Sequence, residues 1–216
     1  MNNISKIIRH PLGRLVLLSA FCLLATAIRS IQHDNMVYLF LNWNLFLAWI
    51  PLMIVKVWVR YSVTTNPLKS YSILFFFAWL LFFPNAPYII TDLIHLNKRL
   101  VTSWIDPLIL FTYAFTGLIL GLYSLRVVHQ QLASYFTHFL TWFCLTLAMF
   151  ISGYGIYLGR VQRWNSWDII TKPMSLIRDA ISQSTNPMAI QMTFAYSSML
   201  ILVYLVIHSS LNHERK

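Results

Sequence analysis

Six long apolar runs, set apart by short polar segments, organise the chain. They cover residues 12–31, 37–59, 68–90, 108–125, 136–158 and 188–208. Each approaches the ~20 residues that carry a helix, at ~1.5 Å per residue, across a ~30 Å hydrocarbon core. In lipid every backbone N–H and C=O must find a partner within the protein, which leaves helices and closed barrels as spanning structures. The pattern therefore predicts an all-α polytopic transmembrane helix bundle of about six spans. No Gly/Ser/Pro-rich linker divides the runs, so residues 1–216 read as one integral membrane domain.

The third run departs from the others. Its uninterrupted part, 68–83, is followed by Pro84-Asn85-Ala86-Pro87. Two prolines remove two backbone donors and push the preceding residues, Phe83 and Ala86, out of helical geometry. A break at Pro84–Pro87 is expected, with freed carbonyls that must lie within protein or beside a wet cavity. Asn42 and Asn44, in the second run, are expected to hydrogen-bond those carbonyls, and Pro51 to interrupt that run further along. A ligand beside the break would make Asn44 and Asn85 binding residues instead. Past the break, Tyr88, Asp92, His95 and Arg99 recur at i, i+4, i+7 and i+11, one stripe of a short α-helix bent across the interface. Gly117/Gly121 and Gly155/Gly159 are small-xxx-small pairs that let helices approach closely, on different neighbours.

Composition supports the membrane reading. The chain is 58% hydrophobic and 10% charged, against roughly 25% charged in soluble domains, too little to cover a soluble surface. Its net charge of +10 is spread singly or in small groups between apolar runs. That pattern favours membrane lipids with anionic headgroups over nucleic acid as partner. With the N-terminus inside, Lys/Arg divide nine inside to seven outside, and Lys6, Arg9 and Arg14 oppose Arg29 across the first run. The termini are therefore assigned to the cytoplasmic side of the cell membrane. Ala25-Thr26-Ala27 imitates a signal-peptidase site, but five more runs follow, which favours an uncleaved first span. Cys22 and Cys144 lie inside apolar runs and read as packing residues.

Six crossings place Asp34, Asp92, Asp106, Asp168 and Asp179 on one side, with His33 and His95. The connection after the fifth run opens with Arg160-Val-Gln-Arg-Trp-Asn-Ser-Trp-Asp168, and Trp164 and Trp167 suit the headgroup level. Pro173 is placed to open a short amphipathic helix near 173–183 on the outer surface. Its apolar side would be Met174, Leu176, Ile177, Ala180 and Ile181.

Asp92 and His95 can act as metal ligands, or as a carboxylate orienting an acid/base imidazole. With Asp106 and Asp168 they form the candidate catalytic set. The bland alternative is a solvated stripe with an incidental Asp/His pair. A metallohydrolase motif of the His-Glu-x-x-His type is absent, so no metal or other cofactor is assigned. Arg160 and Arg163 can bind a phosphate, such as an anionic lipid headgroup, by paired hydrogen bonds; the alternative is ordinary snorkelling. His10, His129, His138, His208 and His213 fall toward the other side and show no cluster in the sequence.

Three motifs together resemble a known family: Asn42-Trp-Asn-Leu-Phe-Leu-Ala-Trp-Ile-Pro51, Pro84-Asn-Ala-Pro-Tyr-Ile-Ile-Thr-Asp-Leu-Ile-His95, and Gly159-Arg-Val-Gln-Arg-Trp-Asn-Ser-Trp-Asp168. The chain is similar over residues 37–208 to the bacterial membrane family catalogued as domain of unknown function 1361. That resemblance implies a bacterial multi-pass membrane protein and no particular activity. Three functional classes stay open. The leading one is an outer-face enzyme acting on a lipid or envelope substrate; the others are a transporter and a non-catalytic assembly partner.

Overall fold

The computed structural model describes residues 11–33, 36–64, 70–97 and 103–213. Asp34, Arg99 and His10 lie outside them, as does the side chain of His213. In chain order the elements are α1 (Pro11–His33), α2 (Leu39–Thr64), α3 (Ser70–Phe82), α4 (Asn85–Tyr88), a 3-10 helix (Ile89–Asn97), α5 (Ile105–Ala133), α6 (His138–Arg160), α7 (Asp168–Thr171), α8 (Pro173–Gln183) and α9 (Pro187–His213). Among the described residues six segments are long and apolar enough to cross a membrane: Pro11–His33, Leu39–Ser62, Tyr71–Leu96, Ile105–Ala133, His138–Arg160 and Pro187–Ser210. The six apolar runs are six helical spans, and the chain is a multi-pass membrane protein.

Burial is distributed as lipid requires. Ile73, Leu74, Phe77, Phe111 and Phe139 are exposed, whereas Arg29, Asp92, Asp106, Thr116, Ser124 and Ser152 are buried. Water would reverse that arrangement; hydrocarbon favours it, because polar groups then find partners only in the protein interior.

The third span is composite, as the prolines predict. The Phe83 amide closes the last α-helical bond onto Trp79, at 2.7 Å. Pro84 has no N–H to continue the ladder. The expected second break, at Ala86, does not occur: Ala86 and Pro87 are helical and buried within α4. Pro87 sits in the first turn of α4, where an N–H would have no intrahelical partner, so its missing donor costs nothing there. The carbonyl of Leu81 accepts from Ser166 Oγ at 3.3 Å. Asn42 and Asn44 do not take the carbonyl-binding role expected of them; their side chains bond elsewhere, as described below. Nor does Pro51 interrupt α2, which runs through it without a change of helix type.

The chain forms two compact units, the first from Met1–Trp49 and Asn85–Gly121, the second from Ile50–Pro84 and Leu122–Lys216. In the first, α5 lies against α4 so closely that a Cβ on Gly117 would fall 2.6 Å from the Ala86 carbonyl oxygen. Trp49 Nε1 donates to Ser19 Oγ at 3.0 Å and ties α2 to α1. Cys22 Sγ meets Thr116 Oγ1 at 3.3 Å and ties α1 to α5. Both cysteines are free thiols.

In the second unit α6 and α9 form a close pair. A Cβ on Gly153 would meet Ser197 Oγ at 2.5 Å and the Thr193 carbonyl oxygen at 2.6 Å. Ser197 Oγ donates to the Met149 carbonyl at 3.1 Å. Gly155 faces Pro84, so a glycine of each small-residue pair meets the third span, Gly117 at Ala86 and Gly155 at Pro84, and the separate neighbours expected of the two pairs are not found. Trp79 Nε1 reaches Ser124 Oγ at 3.2 Å. Past the end of α6 the Trp164 amide reaches back to the Leu158 carbonyl at 3.1 Å. Arg163 takes the left-handed position there, with φ 63°. Helix α8 begins at Pro173, as the sequence predicts, with the proline in the first turn.

Candidate functional site

The polar groups of the first unit gather where α1 ends, α2 begins, the third span ends and α5 begins. Three hydrogen-bonded clusters make up this region.

Asp92 is 1% exposed and its Oδ2 accepts from Asn44 Nδ2 at 2.8 Å. It stands on the 3-10 helix, where three residues complete a turn and i, i+3 side chains eclipse. This geometry revises the predicted stripe. The edge consists of Ile89, Asp92 and His95, while Tyr88 lines up with Thr91, whose hydroxyl returns to the Tyr88 carbonyl at 2.7 Å. His95 therefore sits one turn above Asp92 and is half-buried, with its ring edge-on to Phe40 at 5.3 Å between centroids. Nine residues is long for a 3-10 helix, a type of run that often marks a functional or strained segment.

The second cluster is an ion pair. Arg29 Nε donates to Asp106 Oδ1 at 2.8 Å, with the two side chains 1% and 0% exposed. Arg29 Nη2 lies 3.5 Å from Asp106 Oδ2, and the Ser103 amide donates to the same oxygen at 3.1 Å. The guanidinium also stands over the Tyr38 ring, 5.1 Å from its centroid, a cation–π contact. Burial raises the Tyr38 phenol above its ordinary value; Asp106 adds to the rise and Arg29 opposes it.

The third cluster centres on Tyr113. Its hydroxyl is 2.8 Å from Thr26 Oγ1 and donates to Asn42 Oδ1. Asn42 and Asn44 are two residues apart, hence about 200° apart around α2. One faces Tyr113 and the other Asp92, so they cannot serve one target.

The predicted site residues divide between the units. Asp92, His95, Asp106, Asn44 and Asn85 belong to the first; Asp168, Arg160 and Arg163 to the second. Asn85 is half-buried as the first residue of α4. Asp168 starts α7, where Oδ2 accepts from the Asn165 amide at 2.8 Å and Oδ1 from Thr171 Oγ1 at 3.2 Å. Those bonds, the amide first, hold its carboxyl below the usual carboxylate range. Arg160 is half-buried at the end of α6, and Arg163 is exposed.

Among the described residues no group of three or more His, Cys, Asp or Glu is arranged to hold a metal ion. Sequence reasoning passed over Arg29, Tyr38, Thr26 and Tyr113 as members of this region. A signal for part of it was present: Ser19, Cys22, Thr26 and Arg29 lie on one face of α1 at helical spacing, and all four are buried.

The histidines also differ from expectation. In the second unit His129, His138 and His208 gather around Trp142 and Tyr204. His129 Nδ1 is 2.7 Å from Tyr204 Oη, its ring stacks on His208 at 4.8 Å, and Trp142 stands edge-on to His208 at 5.3 Å. His138 approaches Trp142 at 6.2 Å. The cluster joins the end of α5, the start of α6 and the end of α9, separations that no local pattern reveals.

No curated protein and no solved structure matches the chain. A family model does, the one described as Protein of unknown function (DUF1361), over residues 43–203. That span contains α4, the 3-10 helix with Asp92 and His95, and the connection from Arg160 to Pro187. The chain, a multi-pass membrane protein by its six apolar helices, belongs to the DUF1361 family.

Proposed function

We propose that the protein is a membrane-embedded enzyme acting at the outer face of the cell membrane on a lipid or lipid-linked headgroup substrate. Asp92 and His95 would be its acid–base centre. The observation that supports this most directly is the pairing of burial with partial access on one edge of the 3-10 helix. Asp92 is enclosed and held by Asn44, and His95 stands one turn further out and half-buried. A carboxyl at membrane depth is costly to keep and is commonly functional. An imidazole is the side chain best suited to move protons near neutral pH. In this scheme His95 exchanges the proton with substrate, Asp92 and Asn44 position it from below, and the Arg29–Asp106 pair locks α1 against α5. Asp106 is thus structural in the proposal.

The polar groups sit near the ends of their spans instead of the midplane, where transporters built on broken helices place their sites. That weighs for a headgroup-level reaction over transport. The test compares lipid extracts, by mass spectrometry, from cells carrying the gene, lacking it, or carrying His95→Gln or Asp92→Asn. The expected result is a lipid species that changes with the gene and fails to change with either variant, both still present in the membrane at normal level. General acid–base groups contribute roughly 100- to 10,000-fold, so residual conversion should fall to a few per cent or less. Full conversion by both variants would overturn the proposal.

A further inference from the structure

Helix α8 presents three faces, and the structure shows which one is left for a partner. The first is docked. Tyr154 Oη donates to the Ala180 carbonyl, Tyr157 Oη to Gln183 Oε1 at 2.8 Å, and Trp164 Nε1 to Asp179 Oδ2 at 3.1 Å. Leu176 and Ala180, which the sequence assigns to the apolar side, belong with this docked face and are half-buried.

The second face is apolar and uncovered: Met174 is 72% exposed, Ile177 50% and Ile181 69%. At about 100° per residue these three lie within about 60° of one another. The third face carries Ser175, Arg178 and Ser182, all exposed, and Lys172 is exposed just before the helix. From Arg160 to Pro187 the chain holds four Lys/Arg (Arg160, Arg163, Lys172, Arg178) and two Asp (Asp168, Asp179), a net of +2. An apolar stripe beside a basic stripe is the pattern of a helix lying in a headgroup layer, and the excess positive charge complements anionic lipid.

We infer that α8 is a membrane-interface anchor that inserts Met174, Ile177 and Ile181 among the acyl chains and recruits anionic lipid through Lys172 and Arg178. Because α8 is bonded to Tyr154 and Tyr157 of α6, the anchor fixes that end of α6 at the bilayer surface. The orientation cannot be reversed, since turning the apolar stripe inward would break the three bonds of the docked face.

The test uses full-length protein in nanodiscs of mixed neutral and anionic phospholipid. Cys144 is changed to serine, buried Cys22 is retained, and an environment-sensitive fluorophore is attached through M174C, I177C, I181C or S175C, one at a time. All four positions are exposed, so labelling leaves the docked face intact. Bromine-labelled acyl chains should quench the probe at 174, 177 and 181 and spare the one at 175. At 177, brominated anionic lipid should quench more than brominated neutral lipid. K172Q/R178Q should remove that preference, at roughly fivefold local enrichment per charge.

Equal quenching at 175 and 177 would overturn the insertion. Equal quenching by neutral and anionic lipid would overturn the recruitment. Probe self-quenching that grows when two copies share a disc would assign the stripe to a second copy of the chain instead.

Discussion

Breaking the Arg29–Asp106 pair is the sharpest test of how this interior is held together. The two side chains are 1% and 0% exposed and meet at 2.8 Å. With charge centres about 4 Å apart and an effective dielectric of about 20, their attraction is about 4 kcal/mol. Removing each ion from water costs several kcal/mol, so the net contribution of the intact pair is small. Asp106→Ala is different, because it removes the carboxylate that the buried guanidinium meets at 2.8 Å and keeps the charge in the interior. The expected destabilisation is about 3–5 kcal/mol, and Arg29→Met should cost a similar amount. Replacing both, as Arg29→Met/Asp106→Leu, should restore most of the loss, since neither buried charge remains. Reversible unfolding in mixed micelles, read by helical circular dichroism against denaturing detergent, gives the four corners of the cycle. A single substitution costing under about 1 kcal/mol would refute the reasoning. So would a double variant that is as unstable as the sum of the singles.

Three further outcomes follow from the geometry. Gly117→Ala puts a Cβ 2.6 Å from the Ala86 carbonyl oxygen and 2.9 Å from Ile89 Cδ1, so backbone must move and about 1–3 kcal/mol should be lost; a thermal melt unchanged from the parent would contradict that contact. Arg163→Gly relieves a left-handed residue at φ 63° and should raise stability by about 1 kcal/mol, unless the exposed guanidinium binds a ligand, in which case added anionic lipid would reverse the order of the two melts. The carboxyl of Asp168 should titrate by NMR with a midpoint below its ordinary 3.8, because the Asn165 amide and Thr171 hydroxyl bond its ionised form. Its stabilising effect on the α7 turn is then complete above the unfolded value and disappears as pH falls through the lower folded one; a midpoint at or above 3.8 would remove the assigned cause.

The sequence alone determined the number of spans, their helical character, the break at Pro84 and the start of α8 at Pro173. These follow from local causes: run length against bilayer thickness, and a residue that lacks an N–H. Even the buried stripe of α1, with Ser19, Cys22, Thr26 and Arg29, was legible by spacing. The partners of those groups were not. Arg29 meets Asp106 across 77 residues, Thr26 meets Tyr113 across 87, and His129 meets Tyr204 across 75. Helical periodicity says which face a residue occupies and nothing about which helix lies opposite.

Tertiary structure also decided the helix type past the break. Asp92 and His95 share an edge with Ile89 because the segment winds three residues per turn, not 3.6. The outward face of α8 was settled the same way. Sequence marked five apolar positions, and three side-chain bonds from Tyr154, Tyr157 and Trp164 selected Met174, Ile177 and Ile181 as the exposed stripe. Composition and period act along one chain segment, whereas these choices depend on which donors and acceptors a second segment brings within reach.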